Sequence, residues 1–200
     1  MISFVLGRYM ENTYLLDNNK DAILIDPGEN LKSVLKDILK YNIKAILLTH
    51  GHIDHVDGIK EFKNIPIYIY KDELSVLNDK TNSLYDLYFD TLPYNIDDLN
   101  IIKLNDNQEF NLIGHNIKVI HTPGHTIGSC CYLVDNKILF SGDTLFQVGM
   151  GRTDFPTGNF NQMMDSLNKL KKLDESILVY PGHGVETTIG FEKKYNPYFK

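Results

Sequence analysis

Short apolar runs alternate with polar stretches rich in Gly, Pro, Asn and Asp along the whole chain. Runs of this length, bounded by turn residues, are typical of β-strands. The pattern predicts strands at residues 2–6, 12–17, 22–26, 43–48, 65–70, 117–120, 129–134, 137–140 and 177–180.

Other stretches carry apolar residues at helical spacing. Asn30 is predicted to cap a helix whose buried face is formed by Leu31, Val34, Leu35, Ile38 and Leu39. A second helix is expected at 56–62, with Asp54 and His55 at its start. Asn159, with Gln162 three residues later, resembles a capping box. The helix that follows has an apolar stripe, interpreted as core, of Phe160, Met163, Met164, Leu167 and Leu170.

This alternation favours one α/β domain over residues 1–200, without separable parts. A chain of 200 residues can bury about 70% of its unfolded surface. The net charge of −6 and the presence of two arginines, Arg8 and Arg152, argue against a nucleic-acid partner. The first apolar run is too short for a secretion signal and no stretch approaches a membrane span, so we expect a cytoplasmic protein. Cys130 and Cys131 are adjacent in one strand and point to opposite faces, which excludes a disulfide between them.

The chemistry is concentrated after the strand at 43–48, in the hexapeptide His50-Gly51-His52-Ile53-Asp54-His55. Imidazole and carboxylate are ligands for zinc and iron, and this spacing suits two ions close together. The alternative is a solvated polar turn. Three of the seven histidines within six residues favour the metal site.

Further candidate ligands follow three other apolar runs. His125 comes after 117–120, Asp143 after 137–140 and His183 after 177–180, each behind turn residues. Such loops converge at the carboxyl ends of strands in α/β architectures. A single Pro-Gly-His or Gly-Asp is an ordinary turn, but four strand-end loops together predict one metal centre.

These motifs carry a family resemblance. The chain resembles metallo-β-lactamase-fold hydrolases, specifically their small glyoxalase II-like (hydroxyacylglutathione hydrolase-like) branch. The matching segments are Thr49 to His55, His121-Thr122-Pro123-Gly124-His125-Thr126, Ser141 to Phe146, Gly151 to Pro156 and Pro181-Gly182-His183-Gly184. The resemblance implies a four-layer αββα sandwich, in which two mixed β-sheets are flanked by helices.

The resemblance also implies a ligand set and a reaction. His50, His52 and His125 would hold one divalent ion, Asp54, His55 and His183 a second, and Asp143 would bridge both together with a hydroxide. Zinc is the expected metal, with iron or manganese as alternatives. The implied enzyme is a thioester hydrolase in which Asp54 and Asp143 are the catalytic carboxylates.

Two features qualify this assignment. Glyoxalase II enzymes carry an additional C-terminal helical domain for glutathione, whereas this sequence ends seventeen residues after His183. We therefore expect a small thioester or ester substrate, with S-lactoylglutathione as the leading candidate but a high Michaelis constant. The chain also resembles mono-iron persulfide dioxygenases, which act on glutathione persulfide; there His50, His125 and Asp143 would form the iron triad. A noncatalytic metal-stabilised module is a third hypothesis, but it requires lost ligands.

The sequence allows two interpretations for each of two residues and one segment. Asp26 is either a partner of a metal-bound histidine or a plain turn residue. The aromatic residues of segment 72–95 either line a substrate pocket or anchor the segment to the core. Arg152 either binds a substrate carboxylate or pairs with Asp154 as a structural clamp, which we favour.

Overall fold

The computed structural model describes residues 1–199, in which two six-stranded sheets carry helices on their outer faces. The first sheet runs in chain order: β1 (Ile2–Leu6), β2 (Glu11–Asn18), β3 (Asp21–Ile25), β4 (Asn42–Leu47), β5 (Ile67–Tyr70) and β6 (Ile101–Leu104). Its first three strands pair antiparallel, whereas β3 to β6 run parallel.

The second sheet has the spatial order β14-β13-β10-β9-β8-β7. Its strands are β7 (Glu109–Leu112), β8 (His115–His121), β9 (Cys130–Val134), β10 (Ile138–Gly142), β13 (Leu178–Pro181) and β14 (Thr187–Thr188). Within it, β10 and β13 are parallel and the other neighbours antiparallel. Between β10 and β13, the chain forms a short separate hairpin of two strands, β11 (Leu145–Phe146) and β12 (Gly149–Met150).

Within residues 1–199, five α-helices cover the sheets: α1 (Leu35–Ile38), α2 (Ile53–Val56), α3 (Leu74–Leu77), α4 (Phe160–Leu170) and α5 (Ile189–Tyr195). Short 3₁₀ segments lie at Leu31–Ser33, Asp57–Glu61, Lys71–Glu73, Tyr85–Leu87, Ile96–Asp98 and Pro197–Phe199.

Three apolar clusters hold four layers together. Tyr14 and Ile25 of the first sheet pack with Tyr132 and Phe140 of the second in the middle. The outer face of the first sheet packs on Leu31 and the residues of α2, and that of the second sheet on α4. Both faces of each central strand are therefore buried, which is why these strands appear in the sequence as continuous apolar runs. The predicted αββα sandwich is confirmed.

The predicted helix at 30–39 is wrong in two respects. Asn30 has a left-handed backbone (φ 62°) and makes no capping bond, so the segment starts as a 3₁₀ turn before α1. A capping residue needs an extended backbone, which Asn30 does not have. Leu39 is 60% exposed instead of buried.

The other elements shift at their ends. The helix expected at 56–62 begins at Ile53, so Asp54 and His55 lie inside it, and it continues as 3₁₀ over Asp57–Glu61. The strand expected at 65–70 begins at Ile67, after Pro66, which lacks a backbone donor. Asn159 caps α4 by accepting a bond from Gln162 N, but the reciprocal half of the capping box is missing, because Asn159 N donates to Gly124 O (2.8 Å). Phe160 is 52% exposed and lies outside the buried stripe.

The two cysteines are free and both are buried, each in a different apolar layer. The alternation of side chains along β9 accounts for this separation.

Candidate metal centre

The loops that carry the predicted ligands meet at one end of the sandwich, where strands of both sheets end. Backbone bonds join these loops: Gly182 N donates to Gly142 O (2.9 Å), and Cys130 N donates to Thr49 O (2.9 Å). The structure gathers all seven predicted side chains there: His50, His52, Asp54, His55, His125, Asp143 and His183.

The first group consists of His50, His52 and His125, whose candidate ligand atoms lie within 4.8 Å of one another. All three side chains are buried. The His125 Nδ1 atom lies 2.7 Å from Arg152 O and donates to it, so its Nε2 atom carries a lone pair. That lone pair faces His52 Nδ1 at 2.9 Å.

The second group consists of Asp54, His55 and His183, again within 4.8 Å. His55 Nδ1 lies 3.1 Å from Asp26 Oδ2, and His183 Nδ1 lies 3.1 Å from Tyr9 O. Both contacts place a ring proton on Nδ1, so the two Nε2 atoms, which face each other at 3.2 Å, are the atoms available to a cation.

Asp143 lies between the two groups. Its Oδ1 is 3.4 Å from His55 Nε2, and its Oδ2 is 3.5 Å from His125 Nε2. The neighbouring loop passes so close that a Cβ atom on Gly182 would lie 2.3 Å from Asp143 Oδ1. Glycine at position 182 is therefore required by this approach.

The unpaired atoms and the charges of the site favour the binding of cations. The buried atoms His50 Nε2 and Asp143 Oδ1 have no hydrogen-bond partner. Burial raises the pKa of Asp143, but His55 and His183 outweigh burial and hold it well below its usual range. Burial lowers the pKa of His55, but Asp143 and Asp54 raise it well above its usual value.

Buried nitrogen and oxygen atoms without hydrogen-bond partners, next to carboxylates that stabilise positive charge, fit divalent cations. Burial lowers the pKa of His52 to about 3, which keeps it neutral, as a metal-binding imidazole must be. His and Asp groups of this kind indicate divalent metal ions.

Asp26 has the role of a partner to a candidate ligand. Besides its contact with His55, its Oδ1 accepts from Thr49 N (2.7 Å) and its Oδ2 from Thr49 Oγ1 (2.6 Å). Thr49 Oγ1 in turn lies 3.1 Å from His50 Nδ1. One carboxylate thus orients a histidine of each group.

Two buried glutamates near the site were missed in the sequence. Glu11 Oε1 lies 4.0 Å from His55 Nδ1 and has no hydrogen-bond partner. Glu73 accepts bonds from Gly51 N (2.7 Å), Gly128 N (2.8 Å) and Thr126 Oγ1 (2.8 Å). It thereby ties the His50–His52 loop to the His125 loop. The available clue was an acidic residue at the edge of a buried strand, at the start of β2 and just after β5.

A cavity of about 530 Å³ opens onto five of the seven side chains, His52, Asp54, His125, Asp143 and His183. Three of the four aromatic residues of segment 72–95 have one of the two predicted roles, whereas Phe89 is 48% exposed and has neither. Tyr85 is fully buried in the core, and Tyr94 packs against the same cluster, whereas Tyr88 lines the cavity. Arg152 forms the predicted clamp: Nε and Nη2 each lie 2.7 Å from an oxygen of Asp154.

None of the helices within residues 1–199 has the length and apolar character needed to cross a bilayer.

Known proteins share this architecture. The family model described as "Metallo-beta-lactamase superfamily" matches residues 6–183. The chain is 35% identical, over 95% of its length and 93% of the relative, to a protein of Haemophilus influenzae named hydroxyacylglutathione hydrolase GloC.

Two solved structures are also similar. The crystal structure of BLEG-1 B3 metallo-beta-lactamase has a TM-score of 0.88 and 32% identity, covering 99% of this chain and 98% of that one. The structure of TTHA1623 in a di-iron-bound form has a TM-score of 0.84 and 29% identity, covering 99% and 100%.

Proposed function

This chain belongs to the metallo-beta-lactamase superfamily, and on that premise we propose that it is a binuclear metal-dependent hydrolase that cleaves thioesters. The observation that carries the proposal is the position of Asp143, whose two oxygens face histidines of two separate His and Asp groups. The similarity to a hydroxyacylglutathione hydrolase makes S-lactoylglutathione the reference substrate for tests.

In this proposal His50, His52 and His125 would hold one ion and Asp54, His55 and His183 the other, and Asp143 would serve both sites. Zinc is the first metal to test, and iron the second because the similar TTHA1623 binds two irons. When bound, such ions lower the pKa of water towards neutrality and polarise a carbonyl group.

The carboxylates at the base of the cavity, Asp54 and Asp143, position the attacking water and set which leaving groups can depart. Burial raises the pKa of Asp54, but His55 and the bond to His183 outweigh it and lower the pKa. Asp54 therefore stays ionised, and it accepts a hydrogen bond from the attacking water and orients it. Water adds its oxygen to the carbonyl carbon, the C–S bond breaks with its electron pair on sulfur, and the products are a carboxylic acid and a thiol.

A thiolate leaves without help from a general acid. A thiolate leaving group is compatible with this site, because the pKa values of Asp54 and Asp143 are lowered and neither carboxylate can donate a proton. These two carboxylates would support amide hydrolysis poorly, because an amine must be protonated as it leaves.

The competing function is the mono-iron persulfide dioxygenase, which needs His50, His125 and Asp143. That chemistry gives no reason for Asp54, His55 and His183 to converge as a second group. The convergence supports the hydrolase.

Metal analysis and two activity assays on one preparation test the proposal. Wild type should bind two ions per chain and release thiol from thioesters, and His183→Ala should bind one. His115→Ala is the matched control, because His115 lies at the opposite end of β8 from His121 and pairs with Asp135. One ion in wild type and in His183→Ala, with oxygen uptake on glutathione persulfide and no thiol release, would reverse the assignment.

A further inference from the structure

The walls of the cavity above the metal centre are apolar. Six of the side chains that form them are Tyr9, Leu84, Leu87, Tyr88, Phe146 and Phe155. Within residues 1–199, no lysine lines this cavity, and Arg152 is the one arginine that does.

The positive charge of Arg152 is already compensated by Asp154. Its guanidinium donates two bonds to Asp154 and lies 3.8 Å from the centre of the Phe155 ring. A bidentate carboxylate partner compensates the charge, and the aromatic ring occupies one face of the planar group. A substrate carboxylate could reach only the remaining Nη1–Nη2 edge of Arg152, where Asp154 already compensates the charge.

The other arginine, Arg8, lies beside the cavity mouth and is also engaged. Its Nε donates to Glu29 Oε2 (3.0 Å), and its Nη2 lies 2.9 Å from Glu29 Oε1. Its guanidinium lies 3.8 Å from the centre of the Tyr88 ring, and the Tyr88 hydroxyl contacts that of Tyr9. Arg8 thus supports the aromatic wall and offers no free charge to a ligand.

From this arrangement we infer that the cavity selects thioesters with an uncharged, apolar thiol part and discriminates against thiols that carry carboxylates, such as glutathione. The inference rests on the proposed thioester hydrolysis and adds the class of substrate. Apolar contact with the aromatic wall favours an aryl or alkyl group. A carboxylate brought there would lose water without gaining a partner, in a chain whose net charge is already −6.

Matched substrates provide the first test. Three lactoyl thioesters, of benzyl mercaptan, N-acetylcysteamine and glutathione, share the acyl group and differ in the thiol. Wild type should hydrolyse the benzyl thioester with a kcat/KM about tenfold or more above that of the glutathione thioester, with the neutral polar thioester between them. Equal values, or a preference for glutathione, would overturn the inference.

Two variants test the physical cause. Leu87→Arg adds a cation to the wall, and Asp154→Asn releases Arg152 from its clamp. Each should raise kcat/KM for the glutathione thioester about two- to fivefold, the range expected for an exposed ion pair. Leu39→Arg is the control, because Leu39 is 60% exposed and Leu87 58% exposed, but only Leu87 lines the cavity. No gain in either variant, or an equal gain in the control, would contradict the argument.

Binding without turnover separates this inference from the proposed function. Thermal shift with zinc-loaded protein compares two thioethers, benzyl methyl sulfide and S-methylglutathione, which contain no thioester bond to cleave. Preferential binding of the benzyl compound supports the inference even if no thioester is hydrolysed, in which case the proposed function alone fails. Stronger binding of S-methylglutathione overturns the inference whether or not thioesters are cleaved.

Discussion

Replacing Glu73 by glutamine should change how the stability of the protein depends on pH. Glu73 is fully buried, and its carboxyl group accepts the bonds from Gly51 N, Gly128 N and Thr126 Oγ1 that join two ligand loops. Burial raises the pKa of this carboxyl group and the three donors lower it. Burial prevails, and the pKa lies at about 8 instead of 4.5.

The sign of the effect follows from the raised pKa. Between pH 4.5 and about 8 the folded protein keeps a proton on Glu73 that the unfolded chain has released. The free energy of unfolding must therefore fall as pH rises through this window, and the loss is complete above the folded pKa. At about 1.4 kcal/mol per pH unit over the roughly 3.5 units between these two pKa values, Glu73 should cost wild type about 5 kcal/mol in total, of which about 4 kcal/mol is lost between pH 5 and pH 8.

Urea unfolding of wild type and Glu73→Gln from pH 5 to pH 9 measures the effect. Glutamine does not titrate, and groups common to both proteins, including the seven side chains of the metal centre, cancel in the difference between their free energies of unfolding. This difference, wild type minus variant, should fall by about 4 kcal/mol between pH 5 and pH 8 and level off above. Glu175→Gln, at a side chain that is 73% exposed, controls for the loss of one carboxylate.

A difference that stays constant over this range would refute the reasoning. It would mean that the three donors outweigh burial and that Glu73 is ionised throughout. A difference that rises with pH would refute it as well, because the folded pKa would then lie below the unfolded one.

Three other measurements check the structure. Asp26→Asn weakens the acceptor of His55 Nδ1 and should lower the affinity of the proposed second ion about 10- to 100-fold in chelator competition; an unchanged affinity would contradict the role of Asp26. Leu167→Ala removes a fully buried side chain of α4 and should cost about 2–5 kcal/mol in urea unfolding, whereas Phe160→Ala, at a 52% exposed position, should cost less than about 1 kcal/mol. Burial raises the pKa of Cys131 to about 11, so the thiols should react with a disulfide reagent at pH 8 only after unfolding; rapid labelling of the folded protein would count against the buried positions of Cys130 and Cys131.

The predicted strands were largely recovered because the information for them is local. A buried strand needs a continuous apolar run and turn residues at its ends, and both are visible in the sequence. Most strands that the pattern predicted occur within one or two residues. Those it did not mark, β6, β7 and the two-residue strands, are short or partly exposed, with apolar and polar residues mixed.

Side-chain environment was harder to predict than the elements themselves. Leu39 and Phe160 fit helical stripes, but no element packs over them and they are exposed. Asn30 has the residue type of a cap, yet its left-handed backbone is set by the chain on either side of it. Neither property can be derived from the spacing of residues.

The sequence by itself determined which seven side chains meet at the candidate metal centre, because the types and spacing of these residues are local and strand ends bring their loops to one edge. Only the tertiary structure decided what surrounds them. Glu73 meets Gly128 55 residues away, and Arg8 reaches Glu29 and Tyr88 at the cavity mouth. Such contacts join segments that are distant in the chain, and partners, burial and pKa depend on how the two sheets pack.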